Sequence, residues 1–332
     1  MMPGFRSAGR RAAAGRATVA LGAIALGLGG LALWQAARAR RAERAHPPEG
    51  RFVTVDGVRL HYVEKGRGPG VLLLHGNGAT VADLRISGLI DRLAERHRVV
   101  AIERPGFGYS ERPRDRLWTP QAQARLLRRA AERLGLERPV VVGHSFGTLV
   151  ALALALDAPG WVRGLVLLGG YYVPAPRLDV PLFAPPAVPV LGDVLRYTVS
   201  PLLGRLLAPR LIRRMFEPRP VTARFRIEFP LDLALRPSQL RASAGDAALM
   251  VPAAAALQAR YGEIRIPTAI LAGQGDRIVD PLQQSAALHR AIPGSTFRLI
   301  PTLGHMLHHF VPQQVRDAVR DVEAAAGGAG AA

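Results

Sequence analysis

Residues 140–155 read VVVGHSFGTLVALALA. A β-branched apolar run stops at Gly143, Ser145 follows two residues on, and past Gly147 the chain becomes a continuous run of leucine, alanine and valine. The pattern predicts a buried strand, a sharp turn and a buried helix, with a hydroxyl at the apex of the turn. Glycine on both sides of the serine has a steric cause. A turn this tight brings neighbouring backbone so close that a Cβ at position 143 or 147 would collide. The turn lifts the Ser145 oxygen off the sheet edge and aims the first N–H groups of the helix at whatever binds beside it.

Working outward, the same alternation continues on both sides. Residues 52–55 and 59–64 read as strands hinged at Asp56-Gly57. Residues 71–74 form a short apolar run, expected of a strand buried on both faces, and end in His75-Gly76-Asn77-Gly78. Residues 81–97 have helical periodicity, 99–102 a further buried strand, and 120–136 a helix with proline at its start and glycine near its end. Between them lies the loop Arg104-Pro105-Gly106-Phe107-Gly108-Tyr109-Ser110. A strand at 165–168 follows the opening stretch. Strands alternating with helices at this spacing predict a mainly parallel sheet covered on both faces, with sites beyond the carboxyl ends of its strands. From 174 to 261 the alternation gives way to a proline-, leucine- and arginine-rich helical insertion, with patterns at 194–207 and 210–216. It then resumes: strand 268–271, helix near 281–291, strand 297–300, and a last helix at 312–325.

The 332 residues suffice for one large domain with an insertion, or for two domains. With no cysteine the chain has no disulfide, thiolate nucleophile or cysteine-ligated zinc. The formal charge of +19 is almost wholly arginine, Lys65 being the only lysine. No zinc-finger spacing or aromatic–basic RNA-binding strand accompanies it, so a nucleic-acid partner is not expected. Part of the charge flanks an apolar run at 17–34, with Arg6, Arg10, Arg11 and Arg16 before it and Arg38, Arg40, Arg41 and Arg44 after. As a helix that run rises about 27 Å, close to the hydrocarbon thickness of a bilayer. Trp34 stands where an interfacial aromatic would. A cleaved signal peptide is the alternative, but the run is long for a signal core, and Ala37-Arg38-Ala39 is a poor cleavage site. We expect a membrane anchor. The matched flanking arginines leave its orientation open.

A serine alkoxide is out of reach at neutral pH without a base, and the base needs an acid to fix its tautomer. Asp276, in Gly273-Gln274-Gly275-Asp276, follows the strand at 268–271, and His305, in Leu303-Gly304-His305, follows the strand at 297–300. Ser145, Asp276 and His305 are therefore the expected catalytic residues. Asp280 is a rival that reads as a helix N-terminal residue, and His308 and His309 are rivals that read as the start of a surface helix. The backbone N–H groups of Asn77 and Phe146 are the expected oxyanion donors. His75 and His144 are expected to serve the structure, by loop hydrogen bonding and by packing. No metal or cofactor is expected.

Gly143-His144-Ser145-Phe146-Gly147, His75-Gly76, the 104–110 loop, Asp276 and His305 together resemble the α/β-hydrolase superfamily. The resemblance covers about residues 51–325. It implies an eight-stranded, mostly parallel sheet with a helical cap inserted after the sixth strand. The chain then divides into a basic tail (1–16), an anchor (17–37), a linker (38–50), a first core segment (51–173), a cap (174–261), a second core segment (262–325) and a tail (326–332). Glu103 departs from the aspartate common before the Pro-Gly loop, a difference expected to be structural. The implied activity is hydrolysis of a carboxylic ester of an apolar small molecule or lipid, through an acyl-enzyme. Epoxide hydrolases and haloalkane dehalogenases of this fold use an aspartate at the elbow. Hydrolysis of a carbon–carbon bond in a diketone-type substrate uses the same three residues and is the alternative. A non-catalytic binding protein retaining the fold is the other.

Overall fold

The computed structural model describes residues 5–176 and 180–328. A long helix, α1 (Phe5–Ala45), leads into an antiparallel hairpin, β1 (Arg51–Val55) and β2 (Val58–Lys65), turned at Asp56 and Gly57, both at positive φ. Then follow β3 (Gly70–Leu74), α2 (Val81–Ile86), α3 (Leu89–Ala94), β4 (Arg98–Ile102), α4 (Pro120–Arg133), β5 (Val140–His144), α5 (Phe146–Asp157) and β6 (Gly164–Leu168). Between β6 and the next strand lie α6 (Val180–Phe183), α7 (Leu191–Tyr197), α8 (Val199–Phe216), α9 (Ala223–Glu228), α10 (Leu231–Ala234) and α11 (Pro237–Gln258). The chain closes with β7 (Thr268–Gly273), α12 (Ser285–Ala291), β8 (Thr296–Ile300) and α13 (Pro312–Gly328). The sheet order is β1-β2-β4-β3-β5-β6-β7-β8, with β3 to β8 pairing in parallel.

The period of two along each strand feeds two cores. Leu72, Leu74 and Val141 face the side packed by α4 and α5, and Val71, Leu73, Val140 and Val142 face the side packed by α3 and α13. Strand order reverses between β3 and β5, so their carboxyl ends flank the crevice where ligands of such sheets bind. Ser145 is the first residue after β5.

Four local expectations change. The helix expected at 81–97 is two, because the Ser87 hydroxyl bonds the Leu84 carbonyl and Gly88 takes φ 76° between them. The insertion breaks at Thr198, not before Pro209, which sits inside α8. Residues 38–45, expected as linker, continue α1: alanine, arginine and glutamate are good helix formers, and the last turns dock on the body. There Gln35 bonds the Thr198 carbonyl, Arg38 pairs with Asp232 on α10, and Glu43 with Arg236. Of the tail expected at 326–332, residues 326–328 belong to α13 and 329–332 lie outside the described residues. Residues 1–4 of the expected basic tail, and 177–179 of the insertion, also lie outside them.

The crowding at the turn is as tight as its glycines suggest. A Cβ on Gly147 would lie 2.4 Å from the Leu74 carbonyl oxygen, and one on Gly143 2.7 Å from that of Gly147. Both obstacles are backbone and cannot swing aside. Gly147→Ala should therefore cost about 2–4 kcal/mol in chemical denaturation, whereas Gly160→Ala, with nothing within 4 Å, should stay within about 0.5 kcal/mol.

Candidate active site

Ser145 holds φ 52° and ψ −121°, a left-handed conformation that costs a residue with a Cβ about 1–3 kcal/mol. Its neighbours enforce it. The Ser145 N–H donates to the Leu168 carbonyl (2.9 Å), while the N–H and hydroxyl of Thr148 donate to the Ser145 carbonyl (3.0 and 2.6 Å).

Three chain segments meet at this turn. His305 stands after β8 and Asp276 after β7. Asp276 Oδ1 accepts the N–H groups of Ile278 and Val279 at 2.8 and 3.0 Å, which fixes the carboxylate. Its Oδ2 lies 2.8 Å from His305 Nδ1, and His305 Nε2 lies 3.0 Å from Ser145 Oγ. A carboxylate only accepts, so Nδ1 carries the proton and Nε2 is left to accept from the serine hydroxyl. Asp276 and His305 are almost wholly buried, so little water competes for these bonds. Asp280, the rival acid, instead accepts the N–H groups of Leu282 and Gln283 at 2.9 Å each and shapes the turn before α12.

His308 and His309 do not begin a surface helix. They are buried on a 3₁₀ turn, with Nε2 atoms 3.0 and 2.7 Å from the two oxygens of Asp83 on α2. The His309 ring packs against those of Phe216 and Phe225, and the His308 ring against that of His144. Burial alone would raise the Asp83 carboxyl, but the two imidazoles hold it well below the usual carboxylate range. Burial pushes His308 down. Among the described residues this is the one group whose donor atoms suit a metal ion, although both carboxylate oxygens are already engaged by imidazoles.

The loop after β3 abuts the elbow: a Cβ on Gly76 would lie 3.0 Å from that of Ser145. Asn77, next in the chain, donates its side-chain amide to the Ser243 carbonyl on α11 (3.1 Å). Phe146 opens α5, where the first N–H groups of a helix lack intrahelical partners. His75 is a fixed neutral imidazole. Its Nε2 accepts the Arg104 N–H (3.0 Å), its Nδ1 donates to the Gly76 carbonyl (2.8 Å), and burial beside Arg104 pushes it down to about 3. His144, also held well down by burial, donates from Nε2 to the His305 carbonyl (3.1 Å).

Arg104 escaped the sequence reading, which treated it only as part of a loop. Its buried guanidinium donates to the carbonyls of His75 and Gly76 (2.9 Å each), to Gln123 (3.0 Å), and to Asp246 on α11 (2.5 Å). The rings of Phe107 and Phe146 stand 4.5 and 4.7 Å from it. A signal did exist: Asp246 is the only charged residue between Arg241 and Arg260. An isolated acid in so apolar a helix needs a buried partner. Glu103 is structural, receiving the Tyr109 N–H and lying 3.2 Å from His61 Nδ1.

A cavity of about 340 Å³ lies between the site and α8, walled by Leu203, Leu207, Leu211, Phe229 and Met250 among others. It reaches the site at Asn77 and at Met306, the neighbour of His305. Ser145 is not part of its wall. No arginine lines it, and Asp83 is its one charged lining residue.

The chain matches the α/β-hydrolase fold family over residues 69–312, and it belongs to that family. Among curated proteins it is 30% identical over 283 residues to a 2-hydroxymuconate semialdehyde hydrolase of Pseudomonas putida, covering 80% of this chain and 90% of that one. It is 29% identical over 284 residues to haloalkane dehalogenase 2 of Mycobacterium bovis, covering 82% and 94%. Among solved structures, a membrane phospholipase A described as a bacterial virulence factor superposes with a TM-score of 0.63. It is 24% identical and covers 94% of this chain and 99% of that one, a likeness of fold.

Two outcomes follow from the buried charges. Asp246→Ala strands the Arg104 guanidinium in a dry site and should cost about 3–5 kcal/mol in chemical denaturation. Burial holds the imidazoles of His75, His144 and His308 below their ordinary value, so the unfolded chain binds more protons than the fold as the pH falls below about 6.5. Stability should therefore fall as the pH drops from about 6.5 towards 3, by about 1.4 kcal/mol per pH unit for each proton taken up. Denaturation midpoints at pH 7 and pH 5 read this directly.

Proposed function

We propose that this α/β hydrolase is a membrane-anchored serine hydrolase that cleaves a carboxylic ester of an apolar small molecule or lipid. The observation that carries the reading is the bonded series from Ser145 Oγ through His305 to Asp276. Ser145 Oγ attacks the ester carbonyl while His305 Nε2 takes its proton. Asp276 holds the imidazolium through Nδ1–H, and the N–H groups of Asn77 and Phe146 receive the oxyanion. Collapse expels the alcohol, which recovers the proton from His305 and leaves an acyl-serine. Water, deprotonated by His305, attacks that acyl carbonyl and releases the acid and the free serine. An apolar cavity without arginine suits an uncharged or acyl substrate better than an acidic one.

The anchor would be α1, the one helix among the described residues long and apolar enough to cross a membrane. Residues 18–30 are exposed throughout. Its last turns are docked on the cap, as an uncleaved segment would be.

Serine at the elbow argues against dehalogenation. A serine that displaced a halide would become an ether, which has no carbonyl for water to attack. Carbon–carbon hydrolysis is the second reading, favoured by the relative from P. putida.

A fluorophosphonate probe should label the wild type, and the label should vanish in Ser145→Ala. An unlabelled wild type would defeat the serine-hydrolase reading. His305→Gln should lower turnover of p-nitrophenyl esters about 10³-fold or more, with the fold intact. Faster turnover of vinylogous diketones than of esters would favour the second reading.

A further inference from the structure

The outer face of α7 and α8 takes no part in the chemistry above. On α8, Val199, Leu202, Leu203 and Leu206 recur at i, i+3, i+4 and i+7, and all are exposed, Leu206 by 74%. Val190 (76%), Leu191, Val194 and Tyr197 extend the patch across α7. Exposed apolar side chains gathered on two adjoining helices mark a contact site. Further along the same stripe of α8 the leucines give way to exposed Arg210, Arg213 and Arg214. One helix face thus passes from apolar to cationic along its length.

The exit point of α1 decides what covers this patch. Going towards the N-terminus, α1 touches the body at Ala42, Ala39, Gln35 and Leu31, and from residue 30 back to 18 every position is exposed. Gln35 Nε2 donates to the Thr198 carbonyl at the joint between α7 and α8 (3.4 Å). Next to Gln35, Trp34 points outward with the Arg38 guanidinium 4.9 Å from its ring. A run ending at Trp34 that spans a bilayer therefore brings the joint of α7 and α8 to the membrane boundary. The same α8 walls the cavity: Leu203, Gly204, Leu207 and Leu211 line it, while Leu202 and Leu206, exposed and absent from that wall, lie on the patch. One helix separates the cavity from the patch.

We propose that the face of α7 and α8 lies in the interfacial layer of the bilayer beside α1, and that a bilayer-resident acyl lipid enters the cavity along α8. The leucines sit at the level of the acyl chains, and Arg210, Arg213 and Arg214 meet anionic headgroups. The identity of the substrate rests on the ester-hydrolase reading. The docking of the face does not.

Because the chain has no cysteine, Leu206→Cys takes a single fluorescent label in the full-length protein. In vesicles of phosphatidylcholine and phosphatidylglycerol carrying acyl-chain nitroxides, that label should be quenched about threefold or more strongly than the same label at Arg290→Cys on α12. Equal quenching at the two sites overturns the docking. Energy transfer between labelled copies without nitroxide quenching assigns the face to a second copy and also overturns it. For substrate entry, the pair Leu202→Glu and Leu206→Glu should slow hydrolysis of vesicle-borne phospholipid about tenfold or more, and leave a short soluble ester within about twofold. Equal loss on both substrates, or loss on neither, overturns the entry route. If position 206 is quenched but the wild type cleaves no ester, the docking stands and the ester reading fails.

Discussion

The buried guanidinium of Arg104 ties together parts of the chain that the sheet alone would leave independent. It binds the carbonyls of His75 and Gly76, which shapes the loop beside Ser145. It pairs with Asp246, which fastens α11 to the core, and it lies near the ring of Phe146, the first residue of the helix after the elbow. Five directed donors make arginine suited to this and lysine not. Such a pair is costly to bury and is no source of net stability in itself. What it supplies is specificity: any other placement of α11 leaves a charge without a partner. Arg112 and Gln123 share Asp246 with Arg104, at 2.9 and 3.1 Å, so the loop that carries the proposed oxyanion donor at Asn77 and the cap that walls the cavity meet at one buried cluster.

The fold and the meeting of Ser145, Asp276 and His305 were legible for a common reason: in a parallel sheet the residues that gather at a site follow the carboxyl ends of strands, and strands are the clearest apolar runs in the sequence. Ser145 follows β5, Asp276 follows β7 and His305 follows β8, and glycines mark the places where backbone approaches backbone. What was not legible depends on partners distant in sequence. Gly88 splits a helix whose periodicity looks continuous. His308 and His309 read as polar residues near the surface, because nothing local reveals Asp83 more than two hundred positions earlier. Arg104 likewise becomes intelligible only once α11 folds over it. Asp246, alone among alanines, was the visible half of that pair.

Family membership fixes the scaffold and leaves the reaction to individual positions. The dehalogenase and the semialdehyde hydrolase share this fold at about the same identity to the chain, yet their substrates differ. If Ser145 is the nucleophile, as proposed, the covalent intermediate must be one that water can cleave, which would select acyl groups over alkyl groups. The histidines beneath the elbow add a second constraint. His144 bonds the backbone of His305, and its ring lies tilted against those of His305 and His308, all of them buried. If His305 is the base, as proposed, a main chain and neighbours held this firmly would leave little reorganisation for it to accept a proton.

Because α1 runs unbroken from the exposed apolar run into the contacts with α7 and α10, no hinge separates a membrane segment from the body. A flexible linker would let the domain sample any orientation above a bilayer. A continuous helix docked at Gln35, Arg38, Ala42 and Glu43 would present the same face to the membrane in every copy. The helices that receive α1 include α7, which joins α8, the cavity wall. If α1 spans a bilayer as proposed, the cap helices that receive it adjoin the helix that walls the cavity, so a substrate drawn from the membrane would have a short path to the site.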